Sequence, residues 1–345
     1  MLTEPTIGEL FAGYGGLGMG VQAALGGRLA WVSDIDAPAA ILAHRFPDVP
    51  NLGDITAVDW ATVPRVNILT GGSPCQDISN AGAMAGMVDG TRSNLWVAMR
   101  TAIEQLSPDL VVWENVGGAL NAGAASDVEP CPGCMGGPAG VHMRALGRVL
   151  GDLASLGFDA EWVCVRATDA GAPHKRFRVF VVAWPTAHSG GLRWLSWRGH
   201  GAIPTHRGWT SPDLARRPCV PLELLPTHTI ADLLPTPAVN DMGDNKTAKR
   251  LHRDPDQPTP WGVYEPAVQR WADLTRPAPT PVELGRKGNL RLAAAFPEWM
   301  MGLPEGWVTD VPGLTRTDML KACGNGVVPQ QAHLAIETLR RRILA

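Results

Sequence analysis

Near its start, the sequence has an apolar run that leads into a glycine-rich turn, Glu9-Leu-Phe-Ala-Gly-Tyr-Gly-Gly-Leu-Gly-Met-Gly20. The pattern predicts a strand over residues 6–11 and a helix over residues 15–25. A glycine-rich turn between a strand and a helix lets the backbone approach a ligand, and the helix N-terminus favours an anion. This stretch therefore restricts the region to an α/β unit, with or without a bound ligand.

Apolar and amphipathic segments alternate in this way as far as residue 184. Further strands are predicted at 29–34, 66–70, 109–113, 161–167 and 177–184, and further helices at 37–46, 93–106 and 142–156. This alternation is typical of a doubly wound α/β sheet, whose ligand clefts open at the carboxyl edge of the strands. Functional side chains are therefore expected just after the predicted strands.

The glycine-rich turn has more than one interpretation. Gly13, Gly15 and Gly18 fit the G-x-G-x-x-G dinucleotide fingerprint, and Asp34 and Asp36 follow the second predicted strand. Taken alone, the pattern supports an NAD-dependent oxidoreductase. S-adenosyl-L-methionine (AdoMet) satisfies the same geometry, because it also has a carboxylate and a ribose. A tight turn that binds no ligand is a third interpretation.

Two more strand ends carry reactive side chains. Cys75 lies in Gly-Gly-Ser-Pro-Cys-Gln, directly after the apolar run 66–70, and Glu114 ends the strand of Val-Val-Trp-Glu-Asn-Val. A nucleophile and a carboxylate at one sheet edge suit covalent catalysis. Each also has a structural explanation, since a lone cysteine is commonly a small buried hydrophobe and a strand-end acid commonly caps a helix.

Two later motifs complete the set. Arg176 and Arg178 alternate with apolar residues, which predicts that both lie on one face of a strand, although a solvated basic face has the same pattern. Gly324-Asn-Gly326 is interpreted as a turn at the start of a last helix over about 330–343, where it could act as a simple cap.

The order of the motifs is more specific than any one of them. Phe-x-Gly-x-Gly-Gly, Gly-Asp-Ile-Thr (53–56), Pro-Cys-Gln, Glu-Asn-Val, Arg-x-Arg and Gly-Asn-x-Val-Val follow one another along the chain. This order resembles the DNA (cytosine-5)-methyltransferase family of bacterial and phage type. The matching motifs lie in residues 6–183 and 290–340, which is roughly two thirds of the chain.

The resemblance implies an AdoMet-dependent, Rossmann-like methyltransferase fold with a second, smaller and loop-rich target-recognition domain. The expected boundaries are residues 1–184 for the catalytic domain, completed by 320–345, then 185–290 for target recognition and 291–319 for a hinge. The implied partner is double-stranded DNA. The protein is expected to be a monomer and not to associate with a membrane. No metal is expected.

The resemblance also assigns roles to individual residues. Cys75 would be the nucleophile, with Glu114, Arg176 and Arg178 as the other catalytic residues. The residues implied to bind AdoMet are Phe11 on the adenine, Gly13 and Gly15 at the methionine end, Asp34 on the ribose, Asp54 on the adenine amine, Pro74 and Leu95 along the pocket, and Asn325 closing it. Gln76 and Ser79 would contact a flipped-out nucleotide.

Two positions depart from the family pattern. The family usually has glutamine where this chain has His174, and Gly-Asn-Ser where this chain has glycine at position 326. Neither change removes a reactive group, so the departures concern the positioning of the site.

Composition limits the choice of partner. The formal net charge is −3, which argues mildly against nucleic acid unless the charge is segregated. Residues 185–290 hold 13 Lys/Arg against 10 Asp/Glu, which leaves a charge of −6 on the rest of the chain. The same segment holds half of the 30 prolines, a density that excludes long helices and central strands. Its five tryptophans argue against a disordered linker; they are Trp194, Trp197, Trp209, Trp261 and Trp271.

The cysteine content and the hydropathy pattern indicate the expected cellular location. Six scattered cysteines form no disulfide framework, and no apolar stretch of 18 residues and no basic leader are present, so a cytoplasmic protein of a bacterium or of a phage host is expected. Cys131-Pro-Gly-Cys134 could be half of a zinc site with His142. A Gly/Pro-rich loop with two free thiols is the simpler interpretation.

Three other functions explain parts of the sequence less well than DNA cytosine methylation does. An RNA cytosine-5-methyltransferase would commonly use a second cysteine, and no such partner is obvious. A catalytically inactive DNA- or AdoMet-binding module would not need Cys75 and Glu114. An NAD oxidoreductase leaves Pro-Cys-Gln and Glu-Asn-Val unexplained.

Overall fold

The computed structural model describes residues 4–73, 95–120, 123–124, 143–187, 190–196, 233–234, 261–285 and 288–345. The sequence predictions for Pro74, Cys75, Gln76, Ser79 and the Cys131–Cys134 pair lie outside these residues.

The described residues contain ten strands and nine α-helices. The strands are β1 (Thr6–Leu10), β2 (Arg28–Ser33), β3 (Ile68–Gly71), β4 (Leu110–Val116), β5 (Gly123–Ala124), β6 (Met143–Arg144), β7 (Phe158–Val165), β8 (Arg178–Pro185), β9 (Val282–Leu284) and β10 (Leu290–Leu292). The helices are α1 (Gly16–Leu25), α2 (Asp36–Arg45), α3 (Leu95–Leu106), α4 (Ala145–Ser155), α5 (Gly190–Ser196), α6 (Glu265–Leu274), α7 (Ala295–Met300), α8 (Arg316–Asn325) and α9 (Pro329–Ile343).

A six-stranded sheet with the order β2-β1-β3-β4-β8-β7 forms the centre of the molecule. β1 pairs in parallel with β2 and β3, and β3 pairs in parallel with β4. β8 is antiparallel to both β4 and β7. The chain leaves β1 towards β2 and returns on the other side at β3, so a ligand cleft is expected beside the carboxyl ends of β1 and β3.

Both faces of the sheet are covered by helices, which confirms the predicted doubly wound fold. Alternate strand residues point to opposite faces, so Leu69 joins one core with Trp96 of α3 and Val149 of α4. Its neighbour Ile68 joins a second core with Val21 of α1 and Ile336 of α9, among others. α9 therefore returns the end of the chain to the sheet, beside α1.

A third core joins the later part of the chain to the glycine-rich turn. Trp271 of α6 and Trp299 of α7 are fully buried in it, together with Tyr14 from the turn. The Trp271 indole donates to the Trp299 carbonyl (2.9 Å), and the Trp299 indole donates to the Arg276 carbonyl (2.8 Å). Buried indole nitrogens thus have acceptors, as a stable core requires.

One sequence prediction about the later segments is wrong, and the proline-rich segment contains one helix of moderate length among its described residues. α6 is a ten-residue helix inside the proline-rich segment, because Pro266 lies in its first turn, where the missing N–H leaves no hydrogen bond unmade. Asn325 does not open the last helix; it is the final residue of α8, a helix that the sequence pattern did not predict.

The described parts of the chain contain neither a membrane-spanning helix nor a cluster of metal ligands. No helix there is both long enough and apolar enough to cross a membrane. No cluster of three or more potential ligand side chains is found there that could hold a metal ion.

Candidate active site

The turn after β1 has a backbone that favours glycine at two places. Gly13 and Gly15 have φ values of 60° and 86°, in the left-handed region. A Cβ at Gly15 would lie 2.9 Å from the Phe46 ring, whereas a Cβ at Gly13 would meet no atom within 4 Å. Gly13 therefore faces open space at the carboxyl end of β1, and a ligand can approach the backbone there.

Asp34 links this turn to the end of β2. Its Oδ2 accepts from the Gly13 N–H at 2.8 Å, and its Oδ1 accepts from the Ile35 N–H at 2.8 Å. Asn51 holds the Asp34 backbone through both its amide donor and its amide acceptor. Burial raises the pKa of Asp34, while the two N–H donors act in the opposite direction. The carboxylate is fixed beside the open space at Gly13.

Asp54 lies on an exposed turn beyond this position. Its Oδ1 accepts from the backbone N–H of Thr56 (2.9 Å) and from the Thr56 hydroxyl (2.8 Å). These bonds lower the pKa of Asp54 and orient its carboxylate. Asp54 precedes the short 3₁₀ helix Ile55–Ala57, whose N-terminus it caps.

Glu114 and Arg178 form an ion pair between adjacent strands. Arg178 Nε lies 2.9 Å from Glu114 Oε1, and both side chains are largely buried. A Cβ at Gly72 would lie 2.8 Å from Glu114 Oε2, so Gly72 leaves the space that this carboxyl group occupies. Burial raises the pKa of Glu114, and the charges of Arg178 and Arg176 only partly offset this effect.

The segment that leads to Cys75 is anchored at Ser73. The Trp113 indole donates to Ser73 Oγ at 3.0 Å, and the Asn115 amide donates to the Ser73 carbonyl at 3.2 Å. Sequence reasoning missed all three residues. The available signal was that Asn115 is a second polar side chain, beside Glu114, in a largely apolar strand. Since Ser73 is two residues before Cys75, these bonds fix the direction in which the chain leaves β3.

Arg176 does not share a strand face with Arg178, so that prediction is wrong. Arg176 precedes β8 and has a φ of 31°. Its buried guanidinium donates to the carbonyls of Gly324 (3.0 Å) and Gly326. Burial lowers the pKa of Arg176 to about 9. In this position Arg176 orders the segment around Asn325, whereas Arg178 is the arginine beside Glu114.

Asn325 and Leu95 lie at the ends of their helices. Asn325 is exposed between the buried residues Cys323 and Gly326, so its side chain is available to a ligand. Leu95 begins α3 and packs at the edge of the first core, as does Phe11 from the end of β1.

His174 is buried in the loop before Arg176. Its Nε2 lies 3.0 Å from the Met300 carbonyl in α7. Burial lowers the pKa of His174 to about 3, so the ring is neutral and donates to this carbonyl. His174, which departs from the family pattern, thus connects the loop before Arg176 to α7.

Residues 6–287 match the family model for the C-5 cytosine-specific DNA methylase. The chain belongs to this family. Over nearly its whole length, the chain is similar to the Type II methyltransferase M.MspI of Moraxella sp. The two are 24% identical over 342 residues, which cover 97% of this chain and 72% of that protein. The described residues include the motifs by which the sequence resembles the C-5 cytosine-specific methylases, apart from Pro-Cys-Gln, which lies outside them.

A second relative carries a different name. A DNA N-6-adenine-methyltransferase of Escherichia phage P1 is 38% identical over 128 residues, which are 32% of this chain and 17% of that protein. The chain spans less than half the length of several of the curated relatives it matches. These matches therefore cover parts of larger proteins.

A solved structure with the same fold is that of a mutant of Spodoptera frugiperda DNMT2. The TM-score is 0.53 with 14% sequence identity, and the match covers 99% of this chain and 100% of that one. This similarity supports the methyltransferase fold of the C-5 cytosine-specific methylase described above.

The residues at the carboxyl edge fit the AdoMet that this family implies. Gly13 faces open space, Asp34 is hydrogen-bonded to the turn, and Asn325 is exposed in the segment that contacts Tyr14. Glu9 Oε2, under the turn, is buried without a hydrogen-bond partner among the described residues. Together they provide a glycine cradle, oriented acceptors and an amide for a ligand that carries an amine, a carboxylate and a ribose.

Proposed function

We propose that this chain is a DNA cytosine-5-methyltransferase that transfers a methyl group from AdoMet to C5 of a flipped-out cytosine. The observation that supports it most is the Glu114–Arg178 pair, which lies against Gly72 at the start of the segment carrying Cys75. A buried acid and a cation thus lie next to the start of the segment that carries the proposed nucleophile.

Cys75 provides covalent activation in this proposal. Cytosine C5 is a poor nucleophile, so Sγ first bonds to C6 and moves the C5=C6 electron pair onto C5. C5 then bonds the methyl group, which AdoMet supplies when bound. A base then takes the C5 proton, and the electron pair of the C5–H bond forms the C5=C6 bond as the S–C6 bond breaks and the thiolate leaves.

Glu114 acts on the opposite edge of the base. Burial raises the pKa of Glu114 and so favours its acid form; in this proposal Glu114 donates a proton to N3 as negative charge develops in the ring. Arg178 bonds the other oxygen of this carboxyl group and leaves a positive charge near the base O2. Arg176 supports the site from the Asn325 side.

AdoMet would be held by the residues around the open space at Gly13. Asp34 would accept from the ribose hydroxyls, Asp54 from the adenine amine, and Phe11 would stack on the adenine. Leu95 and Pro74 would line the pocket, and Asn325 would close it. The Gly13–Asp34 hydrogen bond, which holds the turn and the acceptor together, supports this arrangement.

Double-stranded DNA is the proposed substrate, and its target base must leave the stack to reach a cleft of this kind. Gln76 and Ser79 follow the nucleophile closely enough in sequence to contact the flipped nucleotide. The segment 185–290 would recognise the target DNA sequence, and its slight excess of basic residues would contact DNA phosphates.

The test uses the purified chain and a DNA duplex that contains its methylation site. Cys75→Ser should abolish methyl transfer and retain AdoMet binding, because an alkoxide is far harder to form than a thiolate at neutral pH. Cys164→Ser, at a half-buried thiol on β7, is the matched control and should stay active. A serine variant that keeps more than a few per cent of the rate would exclude Cys75 as nucleophile.

Two further measurements separate the alternatives. A 5-fluorocytosine duplex should trap the wild-type chain as a covalent adduct, because fluorine at C5 blocks the final elimination. Mass spectrometry of the digested product should find 5-methylcytosine; N6-methyladenine would contradict the proposal, and so would methylation of RNA in preference to duplex DNA.

A further inference from the structure

The glycine-rich turn is joined to the segment around Asn325 by one aromatic side chain. Tyr14 is fully buried, and its hydroxyl donates to the Val327 carbonyl at 2.8 Å. Its own carbonyl accepts from the Trp307 indole at 2.9 Å. Tyr14 is thus held at both ends, and its ring cannot move without breaking a buried hydrogen bond.

Gly326 lies directly against this ring. Its φ of −70° and ψ of 176° are ordinary extended values that any residue adopts, so the backbone does not require glycine here. A Cβ at this position, however, would lie closer than 3.0 Å to three carbons of the Tyr14 ring. The glycine is therefore required by the neighbouring side chain alone.

Other contacts hold the same segment from two sides. The Arg176 guanidinium donates to the Gly324 and Gly326 carbonyls. A Cβ at Gly16 would collide with the Val327 carbonyl, so the first turn of α1 also touches this segment closely. A shift of the ring or of the 324–327 backbone would therefore move Asn325 relative to the turn.

We infer that Tyr14 is a positioning residue that sets the place of Asn325 over the glycine-rich turn, and that Gly326 replaces the usual serine because the Tyr14 ring occupies the space of a Cβ. The inference rests on the proposed function, in which Asn325 closes the AdoMet pocket. It makes positions 14 and 326 a coupled pair: a serine at 326 should be tolerated only when the side chain at 14 is small.

The coupling is measured by AdoMet binding without DNA, by calorimetry, and by the thermal midpoint of the ligand-free proteins. Gly326→Ser should weaken AdoMet binding about tenfold relative to the wild type, but less than about threefold relative to Tyr14→Ala when it is introduced into that variant. Tyr14→Phe, which removes only the hydroxyl, should weaken binding by about threefold to tenfold. Gly151→Ser on α4, where a Cβ meets nothing within 4 Å, should not change the affinity.

The outcomes are distinct from a failure of the proposed function. If the wild-type chain does not bind AdoMet, the proposed function is wrong. If it binds, the inference is overturned by an equal cost of Gly326→Ser in both backgrounds, or by variants that lower only the ligand-free thermal midpoint and keep the wild-type affinity. If Gly326→Ser does not fold, Tyr14→Phe decides, and an unchanged affinity there overturns the inference.

Discussion

Glu114 is subject to two opposing effects on its pKa. Its ion pair with Arg178 at 2.9 Å favours the charged form, and its burial favours the neutral form. Burial has the larger effect, so the pKa is raised. A raised pKa favours the acid form, which suits proton donation to a ring nitrogen, and the adjacent arginine fixes the orientation of the carboxyl group.

Glu114→Gln should slow methyl transfer by about 10²–10⁴-fold, because the amide can hydrogen-bond the base but cannot protonate it. AdoMet affinity should be nearly unchanged. The wild-type rate should fall as the pH rises through the raised pKa, since the acid form is lost, and the variant should lack this limb. Steady-state rates over pH test both points, with Glu161→Gln at an exposed position of β7 as control. Normal turnover of Glu114→Gln would leave Glu114 with a structural role only.

Glu9 is a second buried carboxyl group, and its protonation affects the stability of the folded chain. Its Oε1 accepts from the Gly18 N–H at 2.8 Å, and burial raises its pKa from 4.5 to about 8. Between these values the folded chain keeps a proton that the unfolded chain releases. The stability associated with this proton is complete below pH 4.5 and is lost as the pH rises through about 8.

Glu9→Gln should therefore remove part of the loss of stability at alkaline pH. The amide keeps the acceptor for Gly18 and does not ionise, so its thermal midpoint should fall less than that of the wild type between about pH 5 and pH 9. One pKa unit corresponds to about 1.4 kcal/mol, so a difference of several degrees is expected. Thermal melts without AdoMet measure it, and Glu4→Gln, just before β1, is the control. Parallel pH curves for both variants and the wild type would contradict the prediction.

At the scale of elements, the central sheet could be predicted because most of its strands are short, largely apolar runs. β3 and β4 are buried along almost their whole length, which produces the continuous apolar sequence of a parallel strand. The ends of β2 and β4 therefore identified Asp34 and Glu114 from the sequence.

The supports of these residues could not be predicted in the same way. Ser73 is an ordinary loop residue in sequence, and its bonds to Trp113 and Asn115 arise only because β3 and β4 are neighbours. α8 was missed because its hydrophobic pattern is weak; Thr315 and Asp318 form a capping box at its start instead.

Ser73→Ala should leave the buried Trp113 indole without its acceptor. Such a loss costs about 1–3 kcal/mol, which here would loosen the segment before Cys75. The turnover number should fall about tenfold, with AdoMet affinity unchanged. Trp113→Phe, which removes the donor as well as the indole, should change the rate in the same direction. The exposed hydroxyl of Ser196, on α5, supplies the control Ser196→Ala; a turnover number equal to that of this control would show that Ser73 does not position the nucleophile.

At the scale of the whole molecule, the third core could not be read from the sequence. The Trp307 indole donates to the Tyr14 carbonyl, and these residues are 293 positions apart. Periodicity identifies an apolar helix face but not the distant surface that it covers. The motif order predicts that residues 320–345 complete the first domain; in the structure, α9 packs beside α1 in the second core.

The contacts of the proline-rich segment determine how its role should be tested. At its start, Leu195 of α5 lies in the second core and the Trp194 indole donates to Asp109 at 2.8 Å. At its end, Arg270 donates to the Gly171 carbonyl at 3.2 Å, and Trp271 lies in the third core. Replacing all of 185–285 would remove these contacts, so a clean exchange keeps α5 and α6 and replaces residues 197–260.

Exchange of residues 197–260 for the equivalent segment of a related methyltransferase should move methylation to the site of that enzyme. AdoMet affinity should stay within about threefold of the wild type, because every proposed AdoMet-binding and catalytic residue lies outside the exchanged segment. Bisulfite sequencing of DNA from cells that express each chain identifies the methylated sites. A second chimera that also replaces 185–196 and 261–285 should bind AdoMet more weakly and melt earlier, since it loses the Trp194 and Trp271 contacts. Methylation of the original site by the first chimera would show that sequence choice lies elsewhere in the chain.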